Sequence, residues 1–314
     1  VKFASFVHDG KRQSGVVADD QLHPLSHSVD LLDLIVEGEE ALREAGERAL
    51  TASLPVPLTD ARLLPPLQPP TVRDYMTFEG HVEGVARGYG DTVPEEWYAA
   101  PAFYFTNPYA MIGAHDDVPV PPGCERFDFE MEVAAVIGKA GRDLTPDQAR
   151  AHILGYTILN DWSARDLQGR EMRVRLGPAK GKDTSTTLGP WLVTADELEP
   201  HRDADGFLDL ALTVAVNGET IGQDRLANMA WTFEEMAAYA SRGTWIRPGD
   251  VLGSGTCGNG GCLAELWGRG GALQPPPLVP GDTVTLTVEG IGTLTNTVVE
   301  GVAPVPLPSA RRRN

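Results

Sequence analysis

The stretch "FDFEMEVAAVIGK", Phe127 to Lys139, ends in Val-Ala-Ala-Val-Ile, a short run that is apolar on both faces. Such a run belongs to a strand inside a sheet. In a strand, residues two apart point the same way, so Glu130 and Glu132 share one face while Phe129, Met131 and Val133 share the other. Carboxylates are almost never buried unless something pairs with them. Two on one face repel and raise each other's pKa unless a cation sits between them, and hard oxygen ligands select Mg2+, Mn2+ or Ca2+. Taken alone, the pair reads more readily as a solvated strand face than as a site.

The segments around it are short, β-rich and bounded by Gly, Pro and Asp: "PYAMIG", "GYTILND", "PWLVTA", "DLALTVAVNGE", "TVTLTVEG" and "GTLTNTVVEG". Two pieces predict helices. "TPDQARAHIL" has Thr145 as cap, Pro146 in the first turn and Gln148 in the capping-box position, and "TFEEMAAYASRG" repeats the signal with Thr232 and Glu235 before Gly243 stops it. Residues 1–66 read as a small N-terminal domain, a hairpin from "KFASFV" to "SGVVA" followed by one amphipathic helix over "DLLDLIVEGEEALREAGERAL". The Pro-rich "LLPPLQPPTVRDY" excludes regular structure and marks the boundary to a second domain, 67–314. With no repeat and no βαβ alternation, the expected class is α+β, dominated by strands.

A net charge of -18 argues against a nucleic-acid partner, and the basic "RRRN" reads as a solvated tail. No apolar run approaches the ~18 residues that span a membrane, and the N-terminus carries no signal-peptide pattern, so a cytoplasmic protein is expected. Cys124, Cys257 and Cys262 lack the spacing of a structural zinc site and read as reduced thiols. "GSGTCG", Gly253 to Gly258, fits a dinucleotide-binding loop only if a helix follows, and "NGGCLAELWGRGG" offers no plausible long one. "GPAKGKDTST" fails as a phosphate loop because Asp183 occupies the Ser/Thr position.

Further polar groups extend the acidic pair. "GYTILNDWSARDLQ" is a strand ending at Asn160 and Asp161 that turns into a helix, and Arg165 and Gln168, three apart, share a face of it. Asp161 alone is equally a turn or cap residue. Lys182, in a Gly/Pro-bounded loop, is placed to stabilise an oxyanion if it meets the acids. His81 stands between Glu79 and Glu83, and a histidine oriented by a carboxylate is a general base near neutral pH. Singly, a loop lysine and a histidine of this kind are each more often surface residues.

In order, "DYMTFEGH", "FYFTNP", "FDFEMEVAAVIG", "GYTILNDWSARDLQ", "GPAKGKD", "GSGTCG" and "PGDTVTLTVEGIGTLTNTV" resemble the fumarylacetoacetate hydrolase (FAH) family over Arg73 to Val299. The resemblance implies a mixed-sheet β-roll, usually homodimeric, with a divalent ion on three acids, here Glu130, Glu132 and Asp161. It implies substrate-facing Arg165 and Gln168, an electrophilic Lys182, Thr186 close to the metal, Tyr104 and Thr256 gripping a substrate carboxylate, and Arg87 as a second substrate arginine. His81 matches the catalytic histidine, with Glu265, Glu79 or Glu83 as its carboxylate partner. Thr77 stands where the large enzyme has a fourth acid, which favours Mg2+ or Mn2+ over Ca2+. The implied activity is hydrolysis of a C–C bond in a 2,4-dioxo acid such as fumarylpyruvate or fumarylacetoacetate. Hydratase, decarboxylase or isomerase action on 2-oxo acids is the alternative, and a metal-stabilised β-rich binding protein the non-enzymatic one.

Overall fold

The computed structural model describes residues 1–26 and 29–313. The expected hairpin is β1 (Lys2–His8) and β2 (Lys11–Ala18), turned by Asp9 and Gly10, both at positive φ (49° and 70°), as a two-residue turn requires. β3 (Gln21–Pro24) extends it. The single helix expected next is two, α1 (Leu31–Glu37) and α2 (Glu39–Ala52), because Gly38 adopts φ 118°, outside the helical region. β4 (Val56–Pro57) and β5 (Arg62–Leu64) follow. The Pro-rich stretch is irregular only over residues 65–71: Leu63 and Leu64 lie in β5, and Val72–Tyr75, beyond the last proline, forms β6, contrary to expectation.

The main sheet continues with β7 (Phe103–Thr106), β8 (Met131–Ile137), β9 (Ile153–Asp161), β10 (Thr186–Thr194) and, later in the chain, β13 (Val251–Gly253), β11 (Ala211–Val216) and β12 (Glu219–Arg225) lying between them in sequence. Its order is β4-β3-β2-β1-β10-β9-β8-β13-β6-β7. β1 pairs with β10, so strands from both sides of residue 66 belong to one sheet. Only β13 and β6 run parallel along this path. A second sheet contains β11, β12, β14 (Thr283–Val288) and β15 (Gly292–Val299), completed by Val118–Pro119. This is the strand-dominated α+β arrangement the sequence predicts.

β8 explains why its sequence is apolar on both faces. Val133, Ala135 and Ile137 pack toward Leu212, Val214, Leu286 and Leu294 of the second sheet. Ala134 and Val136 pack toward Phe3, Leu31, Ile35 and Leu42 of the N-terminal layer. Each Val, Ile, Leu or Phe among them contributes about 1.5–3 kcal/mol on full burial and each alanine less, which fixes β8 and its neighbours as a rigid floor.

Both predicted capping boxes form. Thr145–Gln148 starts a helix of only Pro146–Ala149, and Thr232–Glu235 starts Phe233–Ser241. Three further helices border the main sheet's polar end: α3 (Glu79–Gly88), α4 (Arg165–Arg173) and α6 (Leu263–Gly270), with α5 being Phe233–Ser241. α6 was not expected. Its first amides are capped from a distant strand: Leu263 and Ala264 donate to the Asp128 carboxylate at 2.8 and 2.9 Å. Among the described residues, no helix is long and apolar enough to cross a membrane.

Candidate metal centre

Strand pairing brings the acids together. β8 and β9 are antiparallel with Met131 opposite Asn160, so the start of one meets the end of the other, and Asp161 N–H donates to the Glu130 carbonyl at 3.2 Å. On the other side of β8, Gly253 of β13 lies opposite Ala134 and next to Asp74 of β6. Carboxylate oxygens of Asp74, Glu132 and Asp161 consequently lie within 4.8 Å of one another, all buried. Asp74 was missed from sequence because its strand was read as Pro-rich coil.

The continuous strand expected from Phe127 is interrupted. Phe127–Asp128 pairs elsewhere, and β8 starts at Met131, because the Glu130 amide donates to Asn160 Oδ1 (2.9 Å) and the Met131 amide to the Gly261 carbonyl (2.9 Å). Glu130 and Glu132 therefore take different partners. Glu130 Oε1 is 2.7 Å from Arg165 Nη1, and its Oε2 is 2.5 Å from Lys182 Nζ. Glu132 Oε2 accepts from the Gly255 amide at 3.0 Å. Lys182 also pairs with Asp161 at 2.6 Å, and the Tyr104 hydroxyl lies between two carboxylates, 2.9 Å from Asp74 Oδ2 and in hydrogen-bond contact with Asp161.

The glycines of "GSGTCG" serve these acids. A Cβ on Gly253 would lie 2.8 Å from Glu132 Oε2 and 3.3 Å from Asp74 Oδ1, so a larger residue there would displace the two carboxylates from their present positions across β13. Gly255, at φ 80°, turns its amide to Glu132.

The electrostatics are unbalanced in one place. Burial, together with the charge of neighbouring carboxylates, pushes Asp74 and Glu132 well above the ordinary carboxylate range and raises Asp161 as well. Burial also opposes ionisation of Glu130, but Lys182 and Arg165 outweigh it and hold Glu130 well below that range. Burial likewise opposes the Lys182 charge, and Asp161 and Glu130 outweigh it, so the ammonium stays protonated. Asp74 Oδ1, Glu132 Oε1, Asp161 Oδ1 and Thr186 Oγ1 are buried without a hydrogen-bond partner. Thr186 sits opposite Asp161 on β10. Uncompensated buried charges cost several kcal/mol each, as much as two or three buried leucines supply, so this convergence needs a counter-charge. An all-oxygen donor set with unpaired carboxylate oxygens fits a hard divalent cation. Thr77, which was expected to leave a three-acid site, donates to the Ser254 carbonyl at 2.6 Å, and Asp74 supplies a fourth acid from three residues earlier.

A stability signature follows. Asp74 and Glu132 titrate above their unfolded values, so their contribution is present in full below the ordinary carboxylate range and is lost as pH rises through the raised values. Glu130 runs oppositely, its contribution present above its ordinary value and lost only as pH falls through the depressed one. As pH rises above the ordinary carboxylate range the first effect dominates. The Tm of chelator-treated protein is expected to fall over that rise, and added Mn2+ to raise it more at the upper end. Calorimetry showing equal Mn2+ stabilisation at both ends contradicts this.

His81 on α3 is 7% exposed, and its Nδ1 lies 3.8 Å from Glu265 Oε2 and 3.8 Å from Cys262 Sγ. Glu265, on α6, is fully buried. Of the three carboxylates considered for His81, only this one meets it: Glu79 is exposed and accepts from Tyr98, and Glu83 pairs with Arg87 at 2.8 Å on the exposed side of α3. Close helix contact makes this possible, since a Cβ on Gly84 would lie 2.5 Å from Glu265 Cγ and one on Gly268 would lie 2.0 Å from the Gly84 carbonyl. Ligand atoms of His81, Glu130 and Cys262 lie within 4.8 Å of one another, so the histidine borders the acids through Glu130.

Arg165 Nε donates to Asp128 at 2.8 Å and its Nη1 to Gln168 Oε1 at 3.1 Å, so Asp128, also missed from sequence, ties the α6 N-terminus to this arginine. Thr256 is buried in the loop between β13 and α6. Arg87, expected to face the substrate, is not brought to the acids but is engaged by Glu83 at the surface.

The family model for the fumarylacetoacetate hydrolase C-terminal region matches residues 71–299. A Mycobacterium tuberculosis protein, Rv2993c, is 36% identical over 251 residues, covering 79% of this chain and 82% of its own. Human mitochondrial oxaloacetate tautomerase FAHD2A is 32% identical over 268 residues, 84% of this chain and 78% of its own. A solved fumarylacetoacetate hydrolase from psychrophilic Exiguobacterium antarcticum superposes with a TM-score of 0.74 at 29% identity, covering 95% of this chain and 99% of that one. The fold and site define a member of an enzyme family with a mixed-sheet roll. The chain belongs to the fumarylacetoacetate hydrolase family.

Proposed function

We propose that the chain is a divalent-cation-dependent hydrolase of the C–C bond in 2,4-dioxo acids of the acylpyruvate type, releasing pyruvate or a related acid and a carboxylate. The observation that carries this reading is the buried His81 beside the wholly buried Glu265, bordering the acid cluster. Glu132 and Asp161, with Asp74 and Glu130 beside them, would hold the cation. Lys182 offsets one of the four charges, and the all-oxygen set suits Mg2+, Mn2+ or Ca2+. When bound, the cation neutralises the acids and polarises the oxygens of a 2-oxo acid.

The remaining chemistry belongs to the chain. Arg165, Gln168, Tyr104 and Thr256 bind and orient the acid end of the substrate. His81 takes a proton from water as the oxygen attacks the 4-carbonyl, and Glu265 stabilises the imidazolium that forms. Cleavage leaves the hydroxyl on the acyl carbon and an enolate on the pyruvate side. The Lys182 ammonium lowers the energy of that enolate, and protonation at carbon completes the consumption of one water.

A second reading, keto–enol tautomerisation of a 2-oxo acid, is favoured by the human relative and needs the same proton-transfer group without attack by water. Pyruvate release from a panel of acylpyruvates, with and without Mg2+ or Mn2+, is expected to show metal-dependent turnover. Enol loss from oxaloacetate without any pyruvate release would replace hydrolysis by the second reading.

A further inference from the structure

Resting on the reading of His81 and Glu265 as the proton-transferring pair, one more side chain acts on that pair. Arg269 lies one turn beyond Glu265 on α6, and its Nη2 is 2.8 Å from Glu265 Oε1. The same nitrogen donates to the Gly80 carbonyl at 3.0 Å, immediately before His81 on α3. Nη1 donates to Asn259 Oδ1 at 3.4 Å, in the loop that leads into α6. One guanidinium thus touches both helices of the pair and the loop between β13 and α6.

We propose that Arg269 is a positioning residue: it orients the Glu265 carboxylate and fastens the first turn of α3 to it, thereby setting the His81–Glu265 geometry. An exposed Glu–Arg pair one turn apart is usually worth little. This one differs because its carboxylate is fully buried while the arginine reaches 35% exposure, so the guanidinium carries the counter-charge in from the surface. Among the described residues, Glu265 has ion-pair partners only in Arg269 and His81. Its planar fork also donates to Gly80 on α3 and to Asn259 in the loop while the same guanidinium ion-pairs with Glu265, which a lysine ammonium on a flexible stem does less well. The glycine seam is independent support. A Cβ on Gly84 would lie 2.5 Å from Glu265 Cγ and 3.1 Å from Arg269 Nε, so α3 is bare where the clamp crosses it.

The test uses Arg269→Met and Arg269→Lys with the full chain, reading turnover, Mn2+ affinity and the ring-nitrogen NMR resonances of His81. Arg269→Met is expected to lower kcat about 10- to 100-fold while KM and Mn2+ affinity stay within about threefold. Its His81 resonances are expected to move in the same direction as those of Glu265→Gln, and Arg269→Lys to fall between Met and wild type on both readouts. Unchanged kcat and unchanged His81 resonances in Arg269→Met overturn the proposal. So does a fall in kcat accompanied by an equally large rise in KM and loss of metal affinity, which marks a merely structural residue. If Arg269→Met does not fold, the kcat-against-KM split and the resonances of Arg269→Lys decide in its place. If the wild type turns over no 2-oxo acid, the reaction falls, while the His81 resonances still decide whether Arg269 sets that ring.

Discussion

Glu132→Gln is expected to lose divalent-cation binding while keeping the fold. Glu132 is 1% exposed, its Oε1 has no partner, and its Oε2 accepts from the Gly255 amide, a bond that a glutamine carbonyl oxygen retains. Residues that only orient a ligand cost about 10- to 100-fold in metal affinity, so loss of a charged ligand should cost at least about 100-fold. In the metal-free protein the sign reverses. Burial and the charges of Asp74, Glu130 and Asp161 work against an ionised Glu132, so replacing it by a neutral isostere should leave Tm equal or higher. Titration calorimetry with Mn2+ and thermal scans with and without it measure both arms. Mn2+ should raise the Tm of the wild type by mass action and leave that of Glu132→Gln unmoved. Retained affinity in the variant would remove Glu132 from the site.

His81→Asn is the second large effect. A positioned general base contributes about 10²- to 10⁴-fold, so kcat should fall by that factor. Asn keeps a polar side chain on α3 without a basic nitrogen. Mn2+ affinity should remain within about threefold of the wild type, because losing an unliganded neighbour costs less than losing a group that orients a ligand. Steady-state kinetics beside Mn2+ titration separates the two quantities. Turnover that survives the substitution would move the proton transfer to another group.

Much of the fold was legible because its signals are local. The apolar run of β8, the hairpin turn at Asp9 and Gly10, and the two capping boxes each lie within a few residues of what they specify. α6 was illegible because its N-cap is Cys262, outside the usual capping residues, and its first two amides bond Asp128, 135 positions from Leu263 and in no common window of sequence. Asp74 was hidden by the prolines before it, although β6 starts as soon as they end. Glu130 and Glu132 were read from strand alternation alone, and the acceptors on Asn160 and Gly261 that take the backbone out of the ladder between Asp128 and Met131 leave no local signal. Local spacing did find Asp161, Arg165, Lys182 and His81. Tyr104, Thr186 and Thr256 carry no local signal and came from the family resemblance alone. Arg87 fails for a simple reason: Glu83, one turn away, holds it at the surface.

The central claim is that the buried acids hold a divalent cation that meets a 2-oxo acid beside His81. Crystals soaked with MnCl2 and oxalate, with data collected at the manganese absorption edge, test it most directly. The predicted result is one anomalous peak, ligated by Glu132 and Asp161 together with Glu130, Asp74 or both, with oxalate completing the shell on the side of His81. No peak among these carboxylates, or a peak ligated elsewhere, would contradict the account.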